Sequence, residues 1–178
     1  MKLIAGLGNP GSRYAGTRHN AGFLLAELLS EKYKAVFKKK LFFNARQCAF
    51  NISDTAVILV EPLSFMNLSG GVVRRYAGRL GIDPGDILVV YDDIDIPLGS
   101  FKIRLKGSAG GHNGMESVMQ CMGTDEIARL RIGINSGFKP GDLSEYVLSV
   151  FEKNELTRLR QGLDGAISEC ERWVIGKI

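Results

Sequence analysis

Hydrophobic positions in this chain form short continuous runs in some stretches and recur at helical spacing in others. Continuous apolar runs, or alternation of apolar and polar positions, predict a strand that begins at Leu3 and further strands at residues 45–52, 56–61, 86–90, 101–105 and 128–134. Helical spacing predicts helices at residues 21–34, 69–80, 115–122 and 155–175. Turn residues separate nearly all of these segments, so strands and helices interleave along the chain.

This interleaving predicts the α/β class, with residues 1–178 in a single domain built on a mixed, mostly parallel, twisted β-sheet flanked by helices. Residues 45–61 are expected to form an antiparallel hairpin. Residues 106–114 and 136–142 are expected to be loops, and residues 143–151 show no clear pattern. Lys38, Lys39 and Lys40 are interpreted either as a solvated loop or as a patch that faces phosphates.

The composition is that of an ordinary globular protein, with 45% hydrophobic and 24% charged residues and a net charge of +4. No apolar run approaches the ~18–20 residues of a membrane-spanning helix, and the N-terminus does not read as a signal peptide. We therefore expect a cytoplasmic protein that does not enter a membrane. The cysteines, Cys48, Cys121 and Cys170, are widely spaced, and we expect reduced thiols. The mild positive charge is compatible with a polyanionic partner.

Scarce polar residues fall where predicted strands end or predicted helices begin: Asn9, His19, Asn67, Asp92, His112 and Asn113. If the sheet brings these ends together, one pocket receives imidazoles, carboxamides and a carboxylate. A histidine oriented by a carboxylate is suited to act as a general base on water, and carboxamides can stabilise an oxyanion or hold a peptide backbone. The alternative is that these are ordinary turn residues. We expect Asn20 to cap the helix that follows His19.

Two other kinds of site have weaker support. Residues Gly6 to Gly11 match the dinucleotide pattern G-x-G-x-x-G, but Pro10 removes one N–H, and no amphipathic helix follows at once. The two histidines lack zinc-site spacing, and we expect no metal and no cofactor. Asp92, Asp93 and Asp95 could ligate magnesium, although turn capping is the more common role of such clusters.

Four segments together resemble the signature segments of bacterial-type peptidyl-tRNA hydrolases. They are GLGNPGSRYAGTRHNAGF, EPLSFMNLSG, VVYDDIDIPLG and GSAGGHNG, in that order. The similarity runs from Met1 to about Val150. It implies a monomeric α/β enzyme that cleaves the ester between a peptide and the 3′ ribose of tRNA. A non-catalytic RNA-binding protein of the same fold is the main alternative.

The resemblance also assigns roles by position. It makes His19 the base, Asp92 the carboxylate that orients it, and Asn9 the group that positions water or stabilises the oxyanion. Substrate-binding roles fall to the peptide-holding Asn67 and Asn113, to His112 in the same cleft, and to Tyr14 beside the acceptor end. Phe65 and Met66 could form an apolar wall, and Arg104 and Arg131 match the basic residues that clamp a tRNA phosphate. Residues 135–141 depart from the pattern expected of the family.

Overall fold

The structure is a computed structural model that describes residues 1–137 and 141–178. Seven strands form one sheet: β1 (Lys2–Gly6), β2 (Lys38–Lys40), β3 (Ala45–Ile52), β4 (Thr55–Pro62), β5 (Ile87–Pro97), β6 (Phe101–Arg104) and β7 (Ala128–Asn135). The helices are α1 (Ala21–Lys32), α2 (Ser69–Leu80), α3 (Asn113–Met122), α4 (Leu143–Leu148) and α5 (Lys153–Val174). Of the predicted 136–142 loop, residues 138–140 lie outside the described residues.

The sheet order is β2-β3-β4-β1-β5-β7-β6. The central strands β4, β1, β5 and β7 are parallel, while β2, β3 and β6 pair antiparallel at the two sides. Strand β1 lies near the centre of the sheet, between β4 and β5. From β1 the chain runs to one side of the sheet, where it forms β2, β3 and β4, and then crosses to β5 on the other side. Open α/β sheets bind ligands outside the carboxyl ends of strands at such a point.

Helices cover both faces of the sheet, and each face has its own apolar core. One core packs α1 and α5 against the sheet through residues such as Leu25, Leu163 and Trp173. The other packs α2 and α3 against it through residues such as Tyr76 and Met115. None of the described helices is long and apolar enough to cross a bilayer.

Most predicted elements are confirmed, and the differences have physical causes. Lys38–Lys40 is an edge strand paired antiparallel with the start of β3 rather than a loop. Strand β5 continues to Pro97, well beyond the apolar run that predicted it. The buried face of α1 is centred on Leu25 and Leu29. Cys48, Cys121 and Cys170 are free thiols.

Candidate active site

The largest group of predicted site residues meets in one cleft of about 580 Å³ outside the carboxyl ends of β1, β4 and β5. The cleft is lined by eight of them: Asn9, His19, Phe65, Met66, Asn67, Asp92, His112 and Asn113. Asn9 follows β1, the segment with Phe65 to Asn67 follows β4, and Asp92 lies within β5. The expectation that parallel strands bring these polar residues together is confirmed.

The centre of the cleft is a contact between His19 and Asp92. His19 lies in a short 3-10 turn, Arg18–Asn20, immediately before α1. Its Nδ1 lies 2.9 Å and 3.0 Å from the two carboxylate oxygens of Asp92. Both side chains are buried, so the pair is largely shielded from solvent. The contact leaves Nε2 of His19 as the ring nitrogen not used by the carboxylate.

Asp92 also contacts the imidazole of His112. Nε2 of His112 lies 3.1 Å from Asp92 Oδ1. Burial by itself raises the pKa of Asp92, but its hydrogen bonds and charge interactions with His112 and His19 outweigh burial and hold that pKa far below its usual range. Asp92 is therefore an ionised carboxylate at neutral pH. Because an ionised carboxylate only accepts hydrogen bonds, both facing ring nitrogens donate to it.

The cluster of His19, Asp92 and His112 is compact enough to be considered as a metal site, since one ligand atom from each lies within 4.8 Å of the others. The backbone N–H of Met115, however, donates to Nδ1 of His112. That nitrogen is unprotonated, so Nε2 of the neutral ring carries the proton. A protonated nitrogen has no lone pair to offer a metal ion, and these residues therefore fit a hydrogen-bonded unit better than a metal centre.

Asn9 is held by contacts that determine which end of its amide faces the cleft. Its Oδ1 accepts a hydrogen bond from the backbone N–H of Met66 at 2.8 Å. The side chain of Asn20 accepts from the backbone N–H of Asn9 at 2.8 Å and donates to its carbonyl at 3.0 Å. Asn9 Nδ2 has no hydrogen-bond partner among residues 1–137 and 141–178, so the amide presents a free donor.

Asn20 is a positioning residue that the sequence analysis assigned incorrectly. Its side chain makes no capping hydrogen bond to α1. It instead braces the backbone of Asn9, eleven residues earlier. The local pattern of a polar residue before a helix favours a cap, and only the tertiary fold shows the other partner.

Two glycines allow α1 to start close to the sheet. A Cβ on Gly22 would lie 2.4 Å from the carbonyl oxygen of Val90 and 2.5 Å from that of Leu7. A Cβ on Gly6 would lie 2.5 Å from the carbonyl oxygen of Gly22. Distances this short are not possible for real side chains, so the close contact between α1 and strands β1 and β5 depends on both glycines. This contact brings His19 to Asp92.

The outer wall of the cleft is α4, where the sequence showed no clear pattern. Leu143, Ser144, Val147 and Leu148 of this helix line the cleft. Asp142 caps α4 by accepting a hydrogen bond from the backbone N–H of Glu145. This spacing of Asp and Glu is a helix-start signal that could have predicted α4 from the sequence.

Arg18, which lies in the same turn as His19, connects this turn to the segment that follows α4. Its guanidinium makes a bidentate ion pair with Glu155 at 2.8 Å and 2.7 Å. It also donates to the carbonyl of Val150 at 2.6 Å and to Ser149 Oγ at 3.0 Å. These groups belong to the segment between α4 and α5 and to the first turn of α5. The sequence analysis did not single out either Arg18 or Glu155.

The remaining predicted residues lie outside the cleft. Tyr14 meets Phe65 edge to face, with ring centroids 6.4 Å apart, and so borders the cleft without lining it. Arg104 is exposed at the end of the edge strand β6. Arg131 lies on β7, where its Nε donates to Asp93 at 2.5 Å. Asp93 itself lines the cleft, so Arg131 contacts the cleft wall through it.

Two of the three glycines of the dinucleotide-like pattern, Gly6 and Gly8, have packing roles. The segment after Gly11 forms only a short 3-10 turn, Ser12–Tyr14, and α1 begins at Ala21. A pyrophosphate site needs the first N–H groups of a helix directly after the glycines. Gly8, like Gly6, packs against the α1 region, since a Cβ there would lie 2.7 Å from the ring of Phe23.

Comparison with known proteins agrees with this geometry. A family model described as peptidyl-tRNA hydrolase matches residues 3–178. The chain belongs to the peptidyl-tRNA hydrolase family. A member from Desulfitobacterium hafniense is 46% identical over 97% of this chain and 92% of its own, and one from Bacillus subtilis is 40% identical over 96% and 90%. The crystal structure of the Acinetobacter baumannii member matches with a TM-score of 0.93 at 36% identity, covering 99% of this chain and 90% of its own.

Proposed function

We propose that this chain hydrolyses the ester bond between the peptide and the tRNA of peptidyl-tRNA, or of an N-blocked aminoacyl-tRNA, with water as the nucleophile. Family membership supports the reaction. The observation that carries the mechanism is the contact of His19 Nδ1 with both oxygens of Asp92, at 2.9 Å and 3.0 Å. When the His19 ring is oriented in this way, the lone pair of its Nε2 is available to accept a proton from water.

In the proposed reaction, His19 Nε2 takes a proton from water while the water oxygen attacks the ester carbonyl carbon. The carbonyl oxygen becomes an oxyanion, which Asn9 Nδ2 stabilises as a hydrogen-bond donor. The intermediate collapses, the bond to the ribose oxygen breaks, and that oxygen receives the proton held by His19. The products are a peptide carboxylate and a free 3′ hydroxyl on the tRNA. Asp92 remains ionised and stabilises the imidazolium in between.

Water is favoured over a side-chain nucleophile by the composition of the cleft. Of the described residues that line it, only Ser144 carries a hydroxyl and none carries a thiol. Ser144 is exposed on α4, and no hydrogen bond joins it to His19 among the described contacts. A nucleophilic serine would need a base within hydrogen-bond reach.

The other roles are assigned by the chemistry of the remaining positions. Asn67 and Asn113 would hold the peptide backbone, Phe65 and Met66 would contact its apolar side chains, and His112 would fix Asp92 from the second side. Tyr14 would stack on a base of the acceptor end, and Arg104, with Arg131, would contact a tRNA phosphate. We further propose that the protein acts as a monomer in the cytoplasm, without a metal or cofactor.

A comparison of two substrates tests the proposal. The enzyme is expected to hydrolyse N-acetyl-aminoacyl-tRNA and to spare the free aminoacyl-tRNA. His19→Ala should lower kcat by about 10²–10⁴-fold, the usual contribution of a general base. Ser144→Ala should retain activity. A non-catalytic RNA-binding protein would leave both esters intact, and near-normal turnover by His19→Ala would exclude His19 as the base.

A further inference from the structure

A second cavity, of about 430 Å³, lies beside the cleft and shares Asn9 with it. We call it the Glu61 cavity. Its walls come from the loop after β1, from α1, from the end of β4 and from the first part of α5. Most of the wall is apolar, with contributions from Phe23, Leu24, Leu63 and Leu156. The ester hydrolysis proposed above uses none of these side chains.

Glu61 is the unusual member of this wall. It lies at the end of β4 with 0% of its surface exposed, yet its Oε1 has no hydrogen-bond partner within the described chain. Its Oε2 lies 2.9 Å from Arg46 Nη1 but makes no well-aligned hydrogen bond. Buried carboxylates normally satisfy their oxygens, because leaving one unpaired is costly.

The charges around Glu61 do not balance. The same Nη1 of Arg46 also lies 2.8 Å from Oε1 of Glu27, so two carboxylates share one guanidinium nitrogen. Burial raises the pKa of Glu61 to about 8; Glu27 adds to this rise and Arg46 opposes it. At the buried end of the cavity, two carboxylates therefore depend on one guanidinium nitrogen, and Oε1 of Glu61 has no donor within the described chain.

We propose that the Glu61 cavity binds an organic cation with a planar amidinium or guanidinium head on an apolar body. The head would donate to the free oxygen of Glu61, and the body would lie against the apolar wall. A planar fork of N–H donors matches a carboxylate better than a single ammonium group does. Because the cavity also contains Pro10, Gly11 and Asn20, a bound cation would touch the loop that holds Asn9.

Benzamidine is a suitable probe, and benzamide is its neutral counterpart of similar shape. We expect saturable binding of benzamidine in ¹H–¹⁵N spectra, with shifts at the amides of Gly11 and Gly16, which line the cavity. Benzamide should not bind. Equal binding of the two compounds would overturn the proposal. So would shifts confined to Gly110 and Gly111, since these line the catalytic cleft with its acidic residues.

Substitutions locate the site. Glu61→Gln keeps the size of the side chain but removes its charge, and it should weaken benzamidine binding about tenfold or more. Glu27→Gln is the matched control; because Glu27 is 40% exposed, we expect a loss of less than about threefold. Ala15→Trp leaves the carboxyl in place and fills the cavity from its exposed side, so it should also abolish binding. Unchanged affinity in Glu61→Gln would contradict the assignment, and the Trp variant gives an independent answer if Glu61→Gln does not fold.

The pH dependence provides a further check. The groups around Glu61 are Glu27 on α1, Arg46 and Cys48 on β3, and Arg160 on α5. Because Glu61 must lose its proton to pair with a cation, affinity should rise as the pH increases from 6.5 to 9. Arg160 carries a like charge at the exposed side, so Arg160→Ala should strengthen binding. Affinity that does not change with pH would overturn the proposal.

Discussion

The backbone N–H of Met115 donates a hydrogen bond to Nδ1 of His112, at 3.2 Å, and this contact determines which nitrogen of that ring carries the proton. His112 is the N-cap of α3, so a single imidazole joins the start of that helix to the carboxylate of Asp92. Protonating Nδ1 would break the cap, and deprotonating Nε2 would remove a donor from Asp92. In its neutral form the ring is therefore the Nε2–H tautomer.

We predict that long-range ¹H–¹⁵N spectra of the folded protein will show the neutral form of His112 as the Nε2–H tautomer. His112→Ala should lower the free energy of unfolding by about 1 kcal/mol or more, because it removes a helix cap. His112→Asn keeps a good capping residue and should recover part of that loss. A spectrum showing the Nδ1–H tautomer of His112 would contradict the prediction.

Asp92→Asn is expected to reduce kcat by about 10²–10⁴-fold with little change in KM, because the neutral amide lacks the negative charge that orients His19 and stabilises its imidazolium. Steady-state hydrolysis of N-acetyl-aminoacyl-tRNA measures this. Asp93→Asn is the control at the neighbouring position, where the carboxylate contacts Arg131 rather than a histidine. An equal loss in both variants would indicate a general charge effect.

The lowered pKa of Asp92 also predicts a pH dependence of stability. A carboxyl whose pKa is lower in the folded state stabilises the fold above its unfolded pKa of about 3.9, and this stabilisation is lost as the pH falls towards the folded value. The difference in Tm between the natural protein and Asp92→Asn should therefore shrink as the pH falls below about 4. Thermal unfolding followed by circular dichroism checks this.

Asn20→Asp tests the positioning of Asn9. The substituted side chain cannot donate to the carbonyl of Asn9 and adds a charge beside it. We expect kcat to fall about tenfold or more, because the oxyanion donor is displaced, while KM changes little. Asn51→Asp adds the same charge on the exposed β3–β4 hairpin and should leave both constants unchanged. If KM rose and kcat did not, Asn20 would be acting on substrate binding instead.

The two candidate phosphate contacts should differ in their salt dependence. Arg104 is exposed, and no ion pair is described for it within the part of the chain that the structure covers, whereas Arg131 is paired with Asp93. Arg104→Gln should reduce the slope of log Kd for tRNA against log salt concentration by about 1, as expected for one lost phosphate contact. Arg131→Gln should reduce it less. Equal slopes would assign the same role to both residues.

The catalytic cleft could be predicted largely because its residues follow apolar strand runs. A run such as Ile87–Val90 signals a buried parallel strand, and the carboxyl ends of parallel strands meet at one edge. Asn9 follows β1 and Asp92 lies within β5, so the fold class alone predicts that they lie near one edge of the sheet. His19 lies before a helix, and its pairing with Asp92 is implied by the resemblance to the family.

What the sequence did not reveal depends on partners that are distant along the chain. Asn20 has the local pattern of a helix cap, but its partner is the backbone of Asn9. Arg18 looks like a surface charge, yet it lies against Glu155, 137 residues away.

Gly6 and Gly22 show that the geometry of the dyad is determined by the main chain. Their missing side chains let a helix and two strands touch, so the imidazole-to-carboxylate distance cannot be adjusted by rotating side chains alone. Transplanting the histidine and the aspartate into an unrelated scaffold would therefore not be sufficient. A designer would also have to reproduce the close backbone contact that Gly6 and Gly22 allow. These two glycines therefore belong to the smallest structural unit that holds the histidine against the aspartate.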